Sequence, residues 1–318
     1  MTRVAAIDCG TNSIRLLVAD RDGDGLREVL RRTEIVRLGQ GVDVTGRIAP
    51  EAMERTLAMS REYARLAREH DVTAARFVAT SASRDASNAA EFVDGVVGAF
   101  GDLDVRPEVV SGEEEAALSF TGATIGLAES GAESPYLVVD LGGGSTELVR
   151  GSGTTVEQAI SLDMGSVRLT ERHLSDDPPT PEEIRVASAE VDAALDEAER
   201  TVDLSGIGTL VGLAGSITTT TAHALGLERY DSTRIHRARI PVDAVLRSTN
   251  ELLQATRAGR AAMGFMHPGR VDVIGAGALI WQRIVDRVAQ RSGITETVTS
   301  ETDILDGIAL SIPATLVE

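Results

Sequence analysis

Two carboxylates seven positions apart, Asp140 and Glu147, bracket three glycines, Gly142, Gly143 and Gly144, and two hydroxyl residues, Ser145 and Thr146. The apolar run Tyr136 to Val139 precedes them and Leu148-Val149 follows, which predicts two short strands joined by a tight polar turn. The glycines let peptide N–H groups approach an anion without interference from a Cβ. A hairpin would return Glu147 beside Asp140 at its open end, where both carboxylates could hold a hard divalent cation over bound phosphate. Mg²⁺ suits that donor set, and Mn²⁺ could replace it. A plain glycine-rich hairpin with two solvated acids fits the same residues.

A second copy weighs against the plain hairpin. Asp8, Gly10 and Ser13 follow another apolar run at the offsets of Asp140, Gly142 and Ser145, with Thr11 and Asn12 in the turn and Leu16-Leu17 matching Leu148-Val149. Arg15 stands where the second copy has Glu147. The repetition points to a duplicated domain whose halves each present a nucleophile-free phosphate loop, facing across a cleft.

Three further groups could contribute. Arg84, in the serine-rich turn TSASRDASN, could clamp a phosphate bidentately or simply face water. Glu113, Glu114 and Glu115 open a helix, where acids complement the macrodipole. Glu115 directly precedes the apolar positions, so it is the one expected to turn inward and serve as a general base. Gly215 and Ser216, with Thr218 and Thr219, form a small-residue strand-to-helix turn suited to a sugar, a base or a distal phosphate. Arg229, Arg234, Arg237 and Arg239, interleaved with His236, are the one locally basic run, read as a solvated loop or as a means of steering a polyanion.

The elements that must position these residues can be read along the chain. Its 318 residues favour two domains with separate cores. A third strand ends at Gly39 and Gly41, and Ala49-Pro50-Glu51 opens a helix with Met53, Leu57, Ala64 and Ala67 on one face. Arg76 to Ala79 and Glu108 to Val110 read as strands. After the second hairpin comes another strand, then a turn at Gly165, Ser166 and Arg168. Thr180-Pro181-Glu182-Glu183 is a capping box for a helix to about Val202. Thr209 to Leu213 is a buried strand, Val242 to Ala255 a helix, Val271 to Val288 an apolar helix, Glu296 to Ser300 a strand and Ile304 to Ile312 a closing helix.

Composition excludes several roles. With a net charge of -18 and 3% aromatic residues, a general nucleic-acid surface is disfavoured. No apolar run is long enough to cross a membrane. The single cysteine, Cys9, reads as a buried small residue in a reducing compartment. The first strand starts close to Met1, leaving no room for a secretory signal, so a cytoplasmic location is expected.

Taken with the ATSASRDASN turn, the VSGEEEA segment and the VSETDILDGIAL end, both hairpins make the chain resemble the Ppx/GppA family of exopolyphosphatases and guanosine pentaphosphate phosphohydrolases, in its short actinobacterial form. The resemblance implies an α/β fold of two ribonuclease-H-like domains of the actin, Hsp70 and sugar kinase superfamily, with the active site in the interdomain cleft. Domain I would comprise residues 1–118 with 303–318, and domain II residues 119–302. It further implies a first phosphate loop at Asp8, Gly10, Thr11, Asn12 and Ser13, a second from Asp140 to Glu147, a phosphate arginine at Arg84 and a catalytic glutamate at Glu115. Gly215 and Ser216 match the third, adenosine-like loop loosely. The implied reaction is Mg²⁺-dependent release of orthophosphate from inorganic polyphosphate or guanosine pentaphosphate, with a homodimer as the family's assembly. Two other readings of the same loops are an actin-like kinase or ATPase and a non-catalytic sensor of polyphosphate or an alarmone.

Overall fold

The computed structural model describes residues 2–23, 25–103 and 105–313. The chain divides into two compact units, Met1–Gly122 with Ile304–Glu318, and Ala123–Asp303.

The first unit holds a five-stranded sheet of β1 (Thr2–Cys9), β2 (Ser13–Asp22), β3 (Gly25–Ile35), β4 (Ala74–Ala79) and β5 (Glu108–Val109), in the order β3-β2-β1-β4-β5. The first three strands form an antiparallel meander, and β4 and β5 join in parallel. Alternation along β1 divides its side chains between two cores, because successive residues face opposite sides of a sheet. Ala5, Ile7 and Cys9 pack with Tyr63, Phe77, Phe92 and Phe100. Val4 and Ala6 pack with Leu118 and with Ile304, Leu305 and Ile308 of the helix Ile304–Ser311. That helix lies so close that a Cβ on Gly307 would sit 2.0 Å from the Leu118 carbonyl oxygen.

The second unit repeats the plan. Its six strands are β6 (Tyr136–Leu141), β7 (Thr146–Ser152), β8 (Thr155–Leu162), β9 (Thr209–Leu213), β10 (Arg239–Pro241) and β11 (Glu296–Thr299), in the order β10-β11-β9-β6-β7-β8. Again an antiparallel meander, β6-β7-β8, is extended by parallel β9 and β11, and β10 adds an antiparallel edge. Leu137, Val139, Leu141 and Leu148 face a core built around Trp281. The repeated strand order confirms the duplicated α/β reading.

Some elements differ from expectation. The helix Pro50–Glu69 buries Ala52, Thr56, Ser60 and Tyr63, while Met53 and Leu57 are half-buried. Its hydroxyls can be buried because each satisfies itself within the helix: Thr56 Oγ1 donates to the Ala52 carbonyl and Ser60 Oγ to that of Thr56. The apolar helix starts at Ile274, three residues late, and runs to Ser292. Its Arg283, Arg287 and Arg291 pair with Asp192, Asp196 and Glu199 on or beside the helix Pro181–Ala198, which accounts for the acidic face of that helix.

The capping box forms: Thr180 Oγ1 accepts from the Glu183 amide at 3.2 Å, and the Glu183 carboxylate accepts from the Thr180 amide at 2.7 Å. The Thr180 amide first, and the Ser175 hydroxyl after it, hold the Glu183 carboxyl at about 2 against an ordinary 4.5. A depressed folded-state value means stability that is present above the unfolded value and lost as pH falls through the folded one. Glu183→Gln should therefore lower the denaturation midpoint at neutral pH, with the difference from wild type shrinking between pH 4.5 and about 2; a difference constant with pH would refute the assignment.

Candidate active site

In the second unit, Asp140 and Glu147 are direct partners in the β6-β7 register. Directly opposed residues of an antiparallel pair share a face, so both carboxyls stand side by side. Their chain neighbours Val139 and Leu148, the next register pair, point the other way into the core. Both acids are nearly enclosed, Asp140 at 7% exposure and Glu147 at 1%. Ser161 Oγ, on β8, donates to Glu147 Oε1 at 2.7 Å and fixes its orientation. Two carboxylates on one face of a hairpin offer the hard oxygen donors that a divalent cation takes. Among the described residues no group of three or more His, Cys, Asp or Glu gathers to hold a metal. An ion here would take two protein carboxylates and complete its shell with phosphate and water oxygens, which is how Mg²⁺ is usually held. The residues fit that ion.

The loop between them is set by its carbonyls. Gly142 N–H donates to the Ser145 carbonyl at 3.0 Å, closing the turn. The carbonyls of Gly142 and Gly143 accept from the Ser166, Val167 and Arg168 amides at the start of the helix Ser166–His173, and Arg168 Nε reaches the Gly144 carbonyl at 2.9 Å. Among the described residues, the amides of Gly143, Gly144 and Ser145 meet no protein acceptor. They are what remains for an anion. Thr146 Oγ1 donates to the Met164 carbonyl and so braces the loop rather than lining it. Gly165 makes this possible, since a Cβ there would lie 2.4 Å from the Gly143 carbonyl.

The first unit is built alike. Gly10 N–H donates to the Ser13 carbonyl at 2.9 Å, and the Thr11 and Asn12 carbonyls accept from amides of Val36, Arg37 and Gly39. Gly39 plays the part of Gly165: a Cβ on it would meet Thr11 Cγ2 at 2.4 Å. Thr11 Oγ1 is bonded to Ser81 Oγ at 2.8 Å, while Asn12 Oδ1 is buried without a partner among the described residues. Asp8 and Arg15 are register partners, as Asp140 and Glu147 are, and form an ion pair at 2.7 Å. This half of the duplication carries its counter-cation in its own sequence.

Of the three glutamates only Glu115 is buried. Glu114 pairs with Arg76. Arg84 Nη1 reaches Glu115 Oε2 at 2.8 Å and the Val110 carbonyl at 3.0 Å. Among the described residues no acceptor meets Nε or Nη2 of Arg84, so the rest of its fork is open to a phosphate. Two residues that sequence could place only separately therefore form one unit. Cys9 is buried, and burial together with Asp8 pushes its thiol well above the usual range.

Comparison with known proteins settles the ancestry of this arrangement. The model of the Ppx/GppA phosphatase family matches residues 17–312. The chain belongs to the Ppx/GppA phosphatase family. Exopolyphosphatase 2 of Mycobacterium tuberculosis is 49% identical over 319 residues, covering 98% of this chain and 99% of the relative. Among solved structures, an exopolyphosphatase-like protein superposes with a TM-score of 0.94 at 48% identity over 97% of each chain. The Aquifex aeolicus PPX-GPPA enzyme does so at 0.80 and 30% identity, covering 98% of this chain and 99% of that one. These solved relatives thus share the two-sheet α/β fold described above.

The basic run is not a uniform loop. Arg239 pairs with Glu296 at 2.6 Å and Arg237 donates to the Ile125 carbonyl, so both brace the second unit. Arg229 and Arg234 line an open cavity of about 690 Å³ together with Glu228 and Asp231, which cancel their charge. Sequence reasoning missed the close contacts of Gly39 and Gly165. A glycine just past the second strand after each loop is the signal that could have revealed them.

Gly165→Ala should drive the second loop out of place, lowering affinity for tripolyphosphate about tenfold or more by calorimetry and costing about 1–3 kcal/mol of stability. Gly153→Ala is the control, because that glycine has φ 58 but open space around it. It should cost about 1 kcal/mol and leave affinity unchanged; equal losses of affinity in both variants would refute the role of the Gly165 contact.

Proposed function

We propose that this protein is an exopolyphosphatase that hydrolyses the terminal phosphoanhydride of inorganic polyphosphate, with Mg²⁺, releasing orthophosphate. The observation that carries the reading is the Arg84–Glu115 pair in a family phosphatase: a buried carboxylate with a cation whose remaining donors are open. The name and 49% identity of the mycobacterial relative support the substrate.

A polyphosphate end is densely anionic, so approach of a water requires that its charge be spread first. The amides of Gly143, Gly144 and Ser145, those of Thr11 and Asn12, and the Arg84 fork would take non-bridging oxygens. Asp140 and Glu147 would hold the Mg²⁺, which supplies further charge neutralisation when bound. Glu115 accepts a proton from a water in line with the terminal bridging bond. The water oxygen then bonds to phosphorus, the bridging P–O bond breaks, and the shortened chain departs as an oxyanion. Arg84 holds Glu115 in place for that transfer. A covalent phosphoenzyme is not required, and the buried, protonated Cys9 would be a poor nucleophile for one.

Glu115→Gln should keep polyphosphate binding while reducing kcat for orthophosphate release by about 10²–10⁴-fold. Wild-type turnover in that variant would remove the base assignment. Glu147→Ala should raise the Mg²⁺ requirement about tenfold or more, read both by the activity titration and by calorimetry of Mg²⁺ with tripolyphosphate present. Unchanged metal affinity in both measurements would exclude Glu147 as a ligand. A side-by-side assay with guanosine pentaphosphate decides between the two family substrates, since a wild-type enzyme active on the nucleotide alone would overturn the proposal.

A further inference from the structure

The helix Pro50–Glu69 of the first unit turns outward two charges that its own chain does not use. Its other arginines are engaged: Arg65 pairs with Glu62 and Glu69, Arg68 with Asp102, and Arg55 Nε donates to the Val36 carbonyl at 3.1 Å. Glu54 and Arg61 are both exposed, and among the described residues neither side chain meets an opposite charge or a hydrogen-bond partner. Seven positions apart, they share one helix face at about 10.5 Å, too far to pair with each other. They also stand between the first and last turns, beyond the reach of the helix dipole, which would otherwise account for an acid ahead of a base.

Between them the same face is apolar. Leu57 stands midway and Met53 one turn before it, and with Ile48 and Pro50 they line a cavity of about 420 Å³ beside the start of the helix Ala89–Phe100. A glycine seats Leu57 there, since a Cβ on Gly95 would meet Leu57 Cδ1 at 2.7 Å. Ala58, the next residue, is exposed, and so small a side chain lets a second helix come close at that point. Arg47 and Glu91, which also line the cavity, lie 3.6 Å apart as a pair and add no net charge.

We infer that this face is an interface between two copies of the chain, packed helix against helix about a two-fold axis. Along the helix it reads acid, apolar, base; a second copy laid antiparallel reads base, apolar, acid against it. Glu54 of each copy then meets Arg61 of the other, about 5 Å to either side of the axis, and the two Leu57 side chains meet on it. Two copies of this patch match each other by construction, whereas an unrelated partner would need the same spacing with the signs reversed. The net charge of -18 repels a second copy at long range, so association depends on this local match rather than on steering. The inference is independent of the chemistry proposed above.

The test is sedimentation equilibrium of the full chain across the micromolar range, where wild type should dimerise. Glu54→Arg and Arg61→Glu each set two like-charged pairs across the axis and should raise the dimer dissociation constant about tenfold or more. The double variant, Glu54→Arg with Arg61→Glu, restores both pairs with their signs exchanged and should recover the wild-type constant. Mixing the two single variants should give a heterodimer, because one carries only arginine and the other only glutamate at these positions. Both positions are exposed, so the fold is retained, which circular dichroism checks. A wild type that stays monomeric, or single variants that dimerise as wild type does, would overturn the inference. So would a double variant as weak as the singles, since a contact through these pairs must survive their exchange.

Discussion

A peptide group carries its carbonyl and its N–H on opposite sides, so a loop whose carbonyls are all engaged on one side must present amides on the other. The loop from Gly142 to Ser145 depends on this constraint. The first turn of the helix Ser166–His173 takes the carbonyls of Gly142 and Gly143, and Arg168 takes that of Gly144. An unoccupied helix start would itself be an anion site, because its amides lack partners within the helix. Here those amides are engaged by a loop, and the loop's own amides take up the task. The same inversion recurs around Thr11 and Asn12, with the turn at Val36–Gly39, where Arg37 has φ 52, in place of a helix.

From that shared scaffold the two halves diverge at a single register pair. Asp8 faces Arg15, and the charges cancel within 2.7 Å. Asp140 faces Glu147, a second acid. The same scaffold thus holds an acid–base pair in one half and two acids in the other.

The parts of this arrangement legible in sequence are those encoded locally. Apolar runs flanking a glycine turn give the hairpins, and the Asp140 to Glu147 spacing gives their pairing. The Thr180 to Glu183 box gives a helix start that the structure reproduces bond for bond. Burial of Glu115 alone among three acids follows from its place just before the apolar turn. What sequence did not reveal involves residues far apart along the chain. Gly165 against Gly143 and Arg84 against Glu115 leave no periodic trace, because each is one contact made after the sheets have formed. The buried stripe of Thr56 and Ser60 was hidden for another reason: hydroxyls read as polar until their bonds to the preceding turn are seen.

The helix Ile304–Ser311 adds a temporal consequence. It completes the core over Val4 and Ala6, yet the whole of the second unit separates it in the chain from the strands it covers. Domains fold as their residues emerge during synthesis. The second unit is one continuous segment and has all its strands and helices once Asp303 has been made, whereas one face of the first unit's sheet has only Val110 and Leu118 to cover it until residues 304–311 follow. The half that is begun first is thus finished last, and for most of translation the β1-β2 face carrying Asp8 and Arg15 is an apolar surface awaiting its cover.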